Sequence, residues 1–361
     1  MVSSSIAASL RLMLQSVTEP TKPLIRAARR LPVNRTPVWF MRQAGRVLPE
    51  YREIKKRYSL LEISAQPELC AQVTLQPLAR MPLDAAIVYA DIMTPLVGIG
   101  VDLDIKPEIG PVIASPIRDR AGVERLRALE PEADVPHLLE TLRLVRRELK
   151  PDQALIGFAG APFTLASYLI EGRGTRTFVE TKALMYGESG VWHDLMSRLA
   201  GNTISYLRAQ VDAGAEAVQL FDSWAGALAP NDYAEFVAPY SRQIIDGVRP
   251  AGVPIIHFAM GASTYLPQVR EAGADVIGID WHIALDSAWD IVGHDRAVQG
   301  NLDPAVLLAP WDRVAERARD VLRRAANRPG HIFNLGHGLH PTIPVANVER
   351  LVDFVHEQSA R

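Results

Sequence analysis

One cysteine, Cys70, in 361 residues excludes an intramolecular disulfide and any multi-cysteine metal site. No apolar run is long enough to cross a bilayer, so a membrane-spanning role is not expected. The net charge is only -2, which leaves no global field to attract nucleic acid or an anionic surface. Any grip on an anion must therefore be local. A phosphate-cradling glycine loop is also missing: Gly172-Arg-Gly174 is too short for a nucleotide fingerprint and stands in the wrong context. His257, His282 and His294 do not fall in metal-ligand spacing, and they have no cysteine beside them. No metal site is expected.

What the chain does have is an ordinary globular composition, 48% hydrophobic and 22% charged. The first 30 residues are rich in serine and arginine, with one acid, Glu19. This composition fits a transit peptide or a frayed extension, and an extension over 1–30 is the expectation, with a single domain over 31–361. From there, short apolar runs alternate with helical patterns at roughly 40-residue spacing. The runs are Val38–Met41, Asp84–Ala90, Ala154–Ala159, Ala217–Phe221, Pro254–Ala259, Asp275–Ile279, Ala297–Leu302 and His331–Leu335. Eight such strands predict a (β/α)8 barrel. Residues 101–117 alternate apolar and polar, which predicts a β-hairpin inserted after the second strand, turning at Gly110-Pro111. A helical pattern covers Leu60–Met81, and Asn231 is placed to cap a helix running to Val248.

In such a barrel the residues that trail each strand gather at one face. Here they include Arg42, Arg46, Asp91, Tyr168, Ser223 and His337. Arginine suits carboxylates because its planar fork donates two parallel hydrogen bonds. A helical turn over 42–46 would put both guanidiniums on one side, and Gly45 would let a ligand come close. The alternative is that both arginines pair with Glu50 or Glu53. Asp91 is either a cap for the next element or a site acid.

Several stretches together resemble the uroporphyrinogen decarboxylase family. They are Pro37-Val-Trp-Phe-Met-Arg-Gln-Ala-Gly-Arg46, Leu48-Pro-Glu-Tyr-Arg52, Gly157-Phe-Ala-Gly-Ala-Pro-Phe-Thr-Leu165, Phe221-Asp-Ser-Trp-Ala-Gly226, Gln299-Gly-Asn-Leu-Asp303 and Asn334-Leu-Gly-His-Gly-Leu339. Phe163 stands where many members have tryptophan. The resemblance implies a cytoplasmic or plastid enzyme of the haem pathway, and the cytoplasm is the placement expected here. It implies a homodimer that uses neither metal nor organic cofactor and converts the four acetates of uroporphyrinogen III to methyls. It also implies roles: Arg42 and Arg46 on substrate carboxylates, Asp91 against the pyrrole N–H groups, and Tyr168, Ser223 and His337 as further substrate contacts. The backbone of Gln43, Ala44 and Gly45 would line the same wall. Corrinoid-dependent methyltransferases share the barrel, but they hold zinc with His and Cys, and this chain has a single cysteine.

Overall fold

In the computed structural model, residues 21–106 and 109–361 are described. Nine strands are present among them: β1 Ala85–Ile87, β2 Leu103–Lys106, β3 Gly110–Ile113, β4 Ala154–Gly160, β5 Ala217–Asp222, β6 Ile255–Ala259, β7 Val276–Gly278, β8 Ala297–Gln299 and β9 His331–Ile332. Seven of them form one parallel sheet in the order β1-β4-β5-β6-β7-β8-β9. All seven residues of β4 are buried, and β6 is buried throughout. That is the apolar continuity a parallel sheet needs when helices cover its outer face. The sheet curls into a TIM-like α/β architecture. The segment at Val38 lies between its two ends: Phe333 N–H donates to Pro37 O (2.9 Å), and Asp84 N–H donates to Val38 O (3.0 Å).

The expected first strand is thus reduced to a single bridge at Val38. The reason lies in where its backbone donors go. Val38 N–H donates to the Asp84 carboxylate (2.7 Å), Phe40 N–H to Gln43 Oε1 (2.9 Å), and Met41 N–H to Asn334 Oδ1 (3.3 Å). Side chains satisfy the groups that a ladder would otherwise pair. Asp84 also holds Arg35 (3.1 Å) and His356 Nε2 (2.7 Å), so one buried carboxylate ties the first segment to the C-terminal helix Val345–Ser359. Inside the sheet, Trp39 Nε1–H donates to Gln299 Oε1 (2.9 Å), and Gln299 Nε2 donates to Gln219 Oε1 (3.0 Å).

Other boundaries shift for local reasons. The helical pattern over 60–81 is two helices, Leu60–Ser64 and Pro67–Arg80. Pro67 excludes Gln66 from the helical region, and Gln66 is extended at φ -114°. Pro77 stays inside the second helix. Asn231 is not a cap: Pro230 starts the helix Pro230–Phe236, and the chain breaks at Val237 before the helix Ala238–Val248. The hairpin of β2 and β3 exists, but Gly110 and Pro111 are not its turn: they belong to β3, paired with Lys106 and Ile105.

Residues 1–20 of the expected extension lie outside the described residues. Within the remainder, Pro23–Ala28 is a helix that buries Leu24, Ile25, Ala27 and Ala28. Lys22 Nζ meets Glu216 at 2.5 Å. No helix among the described residues is long and apolar enough to cross a membrane.

Candidate active site

A cavity of about 400 Å³ opens at the C-terminal ends of the strands. Arg42, Ala44, Arg46, Asp91, Tyr168, Ser223 and His337 all line it. Gln43 and Gly45 do not. The Gln43 side chain is instead a buried brace, accepting from Phe40 N–H and donating to Ala85 O (2.8 Å).

No helical turn carries the two arginines. Arg42 has φ +64° and Gly45 φ +111°. The first is a conformation non-glycine residues seldom take, and the second is one glycine takes readily. The Gln43 brace fixes this double bend, which still delivers both guanidiniums to the cavity. Neither guanidinium donates a hydrogen bond or forms an ion pair among the described residues. Glu50 is held by Arg80 (2.7 Å) and Glu53 by Lys56 (2.7 Å), so neither of these two acids is the arginines' partner. Arg42 is exposed only in the sense that it faces the cavity. The surrounding protein, followed by Arg46, lowers its pKa to about 10.

Asp91 follows β1 after Val88, Tyr89 and Ala90. Its Oδ1 accepts Met93 N–H (2.9 Å), so it shapes the approach to the helix Thr94–Gly98 and lines the cavity as well. The N-cap of that helix is Met93, which takes no side-chain cap bond, so Asp91 holds the turn before the helix and is not its cap. Burial pushes its pKa above the usual carboxylate value, with Met93 N–H, Arg42 and Arg46 pulling the other way. Tyr168, on the helix Pro162–Glu171, stacks on Trp224 at 4.1 Å. Burial, then Asp91, pushes its phenol up to about 12, which keeps it a donor at neutral pH. Burial lowers His337 to about 4, helped by Arg42 and Arg46, so its imidazole is neutral at pH 7.

The cavity is half apolar in construction. Phe158, Phe221 and Phe258 pack edge to face, with centroids 5.5 and 6.2 Å apart. Tyr51 and Tyr89 share a hydroxyl–hydroxyl hydrogen bond of 2.8 Å on another wall. Sequence reasoning missed these five. A signal existed for two, because inward positions repeat every second residue: stepping back two from Asp91 gives Tyr89, and two from Ser223 gives Phe221. The hairpin residues Ile105, Ile109, Gly110 and Pro111, which also line the cavity, carried no such signal. His282 bonds to Asp280 (3.1 Å) and His294 to Asp290 (3.2 Å), while His257 is buried within β6.

The family model for uroporphyrinogen decarboxylase matches residues 19–358. The chain belongs to the uroporphyrinogen decarboxylase family. The uroporphyrinogen decarboxylase of Thermobifida fusca is 55% identical over 347 residues, 96% of each chain. That of Thermus thermophilus is 52% identical over 337 residues, covering 93% of this chain and 98% of its own. Among solved structures, a methyltransferase from Methanosarcina mazei superposes with a TM-score of 0.78 at 18% identity, over 93% of this chain and 97% of its own. That likeness concerns the fold. Among the described residues, no cluster of three His, Cys, Asp or Glu side chains could hold a metal. The Cys70 thiol is buried, donates to Tyr89 O (3.0 Å) and is pushed up to about 12 by burial. It is not placed as a thiol-activating ligand.

Proposed function

We propose that this family member turns uroporphyrinogen III into coproporphyrinogen III, and that the cavity residues carry the reaction without metal or organic cofactor. The observation that supports it best is the pair Arg42 and Arg46, two cations open to the cavity with no direct ion pair among the described residues and with Asp91 as the one acid near them. Two guanidiniums facing one cavity with a single acid beside them leave a local excess of positive charge that suits an anionic ligand, and the substrate is a polycarboxylate. Arg42 and Arg46 bind substrate carboxylates, the neutral His337 and protonated Tyr168 hydrogen-bond further ones, and Ser223 joins them. The backbone of Ala44 belongs to the same wall.

A carboxylate leaves as carbon dioxide only if its bonding electrons have somewhere to go. Protonating a pyrrole carbon next to the acetate makes the ring cationic. The C–C bond electrons then flow into the ring and carbon dioxide departs; a proton adds to the exocyclic carbon to complete the methyl, and the ring carbon gives up its proton to restore the pyrrole. Each acetate thus takes up one proton net and loses one carbon dioxide. Asp91 faces the pyrrole N–H groups. Its carboxylate has lost more solvation than Met93 N–H and the two arginines restore, so a cationic ring is the partner it lacks. The attraction grows as the ring becomes charged, which favours the transition state over bound substrate.

In the same reading, the Val38 segment is the first of the eight strands of a (β/α)8 barrel, residues 31–361 are one catalytic domain, and the enzyme is a cytoplasmic homodimer. The purified protein given uroporphyrinogen III should release four carbon dioxide molecules per macrocycle. Tight binding with no carbon dioxide released would instead indicate a carrier.

A further inference from the structure

Gly336-His337-Gly338 follows β9, and its imidazole has a place in the proposed chemistry. The second glycine does not. A Cβ on Gly338 would stand 2.5 Å from Arg42 Cδ, 2.7 Å from Cγ and 3.0 Å from Nε. The Arg42 side chain therefore runs directly across the bare Cα of Gly338 on its way to the cavity. The two segments cannot part to make room. Leu339 N–H donates to Met41 O (3.0 Å), and Met41 N–H reaches Asn334 Oδ1 (3.3 Å), so the backbones are tied beside the crossing. Arg42 itself sits at φ +64°, braced by Gln43, which restricts the directions in which its side chain can leave.

We propose that Gly338 is a positioning residue whose missing side chain sets the path of the Arg42 guanidinium into the substrate cavity. This rests on the reading of Arg42 as a carboxylate-binding group. Gly338 is not among the residues with positive φ, so alanine fits its backbone and any loss comes from the added methyl.

The test is a double-mutant cycle of Gly338→Ala and Arg42→Ala, reading KM and kcat for uroporphyrinogen together with melting temperature. Gly338→Ala alone should raise KM by about tenfold or more, the scale of one overpacked contact, while melting stays within a few degrees of wild type. In the Arg42→Ala background it should add less than about twofold, because the clash has no second partner. A Gly338→Ala effect equally large in both backgrounds, or an unchanged KM in the single variant, would overturn the proposal. If the single variant does not fold, a folded double variant supports the clash, and an unfolded one overturns it. Arg42→Ala with wild-type KM would instead remove the reading of Arg42, and the positioning role with it.

Discussion

Arg42 and Arg46 bring two positive charges to a cavity that holds one acid, Asp91, and burial already works against the charge on Arg42. Replacing either with alanine should weaken substrate binding by roughly 2–5 kcal/mol, the scale for a charge pair in a desolvated cleft. Lysine should rescue only part, because it lacks the bidentate fork. Titration calorimetry with an octacarboxylate porphyrinogen checks this, and equal affinity in wild type and the double alanine variant would refute it. Asp222 raises a different issue. It is fully buried, Thr164 Oγ1 donates to its Oδ1 (2.9 Å), and its Oδ2 has no hydrogen-bond partner among the described residues. Burial pushes its pKa up to about 7 from the usual 3.8. Between these values the folded state keeps a proton that the unfolded chain has released. The group is thus least costly to stability below the lower value, and stability falls as pH rises through the upper one, by up to about 1.4 kcal/mol per pH unit. Denaturant melts of Asp222→Asn against wild type across this range should show that slope disappear. Parallel curves would contradict it.

At the scale of elements, the site is assembled by short ties between strand ends. Thr164, at the start of the helix after β4, donates to Asp222 at the end of β5 and accepts Trp224 N–H (3.4 Å). Trp224 in turn supports the ring of Tyr168. Thr164→Val should cost about 1–3 kcal/mol, because it strips Asp222 of its side-chain partner, while Thr164→Ser should melt near wild type. Scanning calorimetry separates the two, and equal melting of both would mean the tie contributes nothing. Elements of this kind were only partly legible beforehand. Strands such as Ala154–Gly160 stand out because both faces are covered and every residue is apolar. Polar residues trailing those strands marked Asp91, Ser223 and His337 as neighbours. The first segment did not, because its pairing is replaced by bonds to Asp84, Gln43 and Asn334. A left-handed Arg42 and a glycine that must be bare because of a side chain almost 300 residues away (Gly338) follow from tertiary contacts, which leave no local pattern.

For the whole molecule, a weak net charge of -2 surrounds a cavity whose wall is locally positive at Arg42 and Arg46 and negative at Asp91. A two-fold dimer is the commonest assembly for such a chain. Light scattering at micromolar concentration should give about twice the 39.7 kDa chain mass, and a value near the single chain would exclude the dimer. The bowl as a unit must do two things: hold a polycarboxylate with its arginines, and place the macrocycle's pyrrole N–H groups against one desolvated acid. Asp91→Asn separates them. Asparagine keeps the shape and the acceptor for Met93 N–H but removes the charge. Measured side by side, uroporphyrinogen affinity should stay close to wild type while kcat falls by about 100-fold or more, the scale for losing one preorganised electrostatic group. A near-wild-type kcat in Asp91→Asn would mean that the acid only holds the turn at Met93 and that the ring's positive charge is stabilised elsewhere.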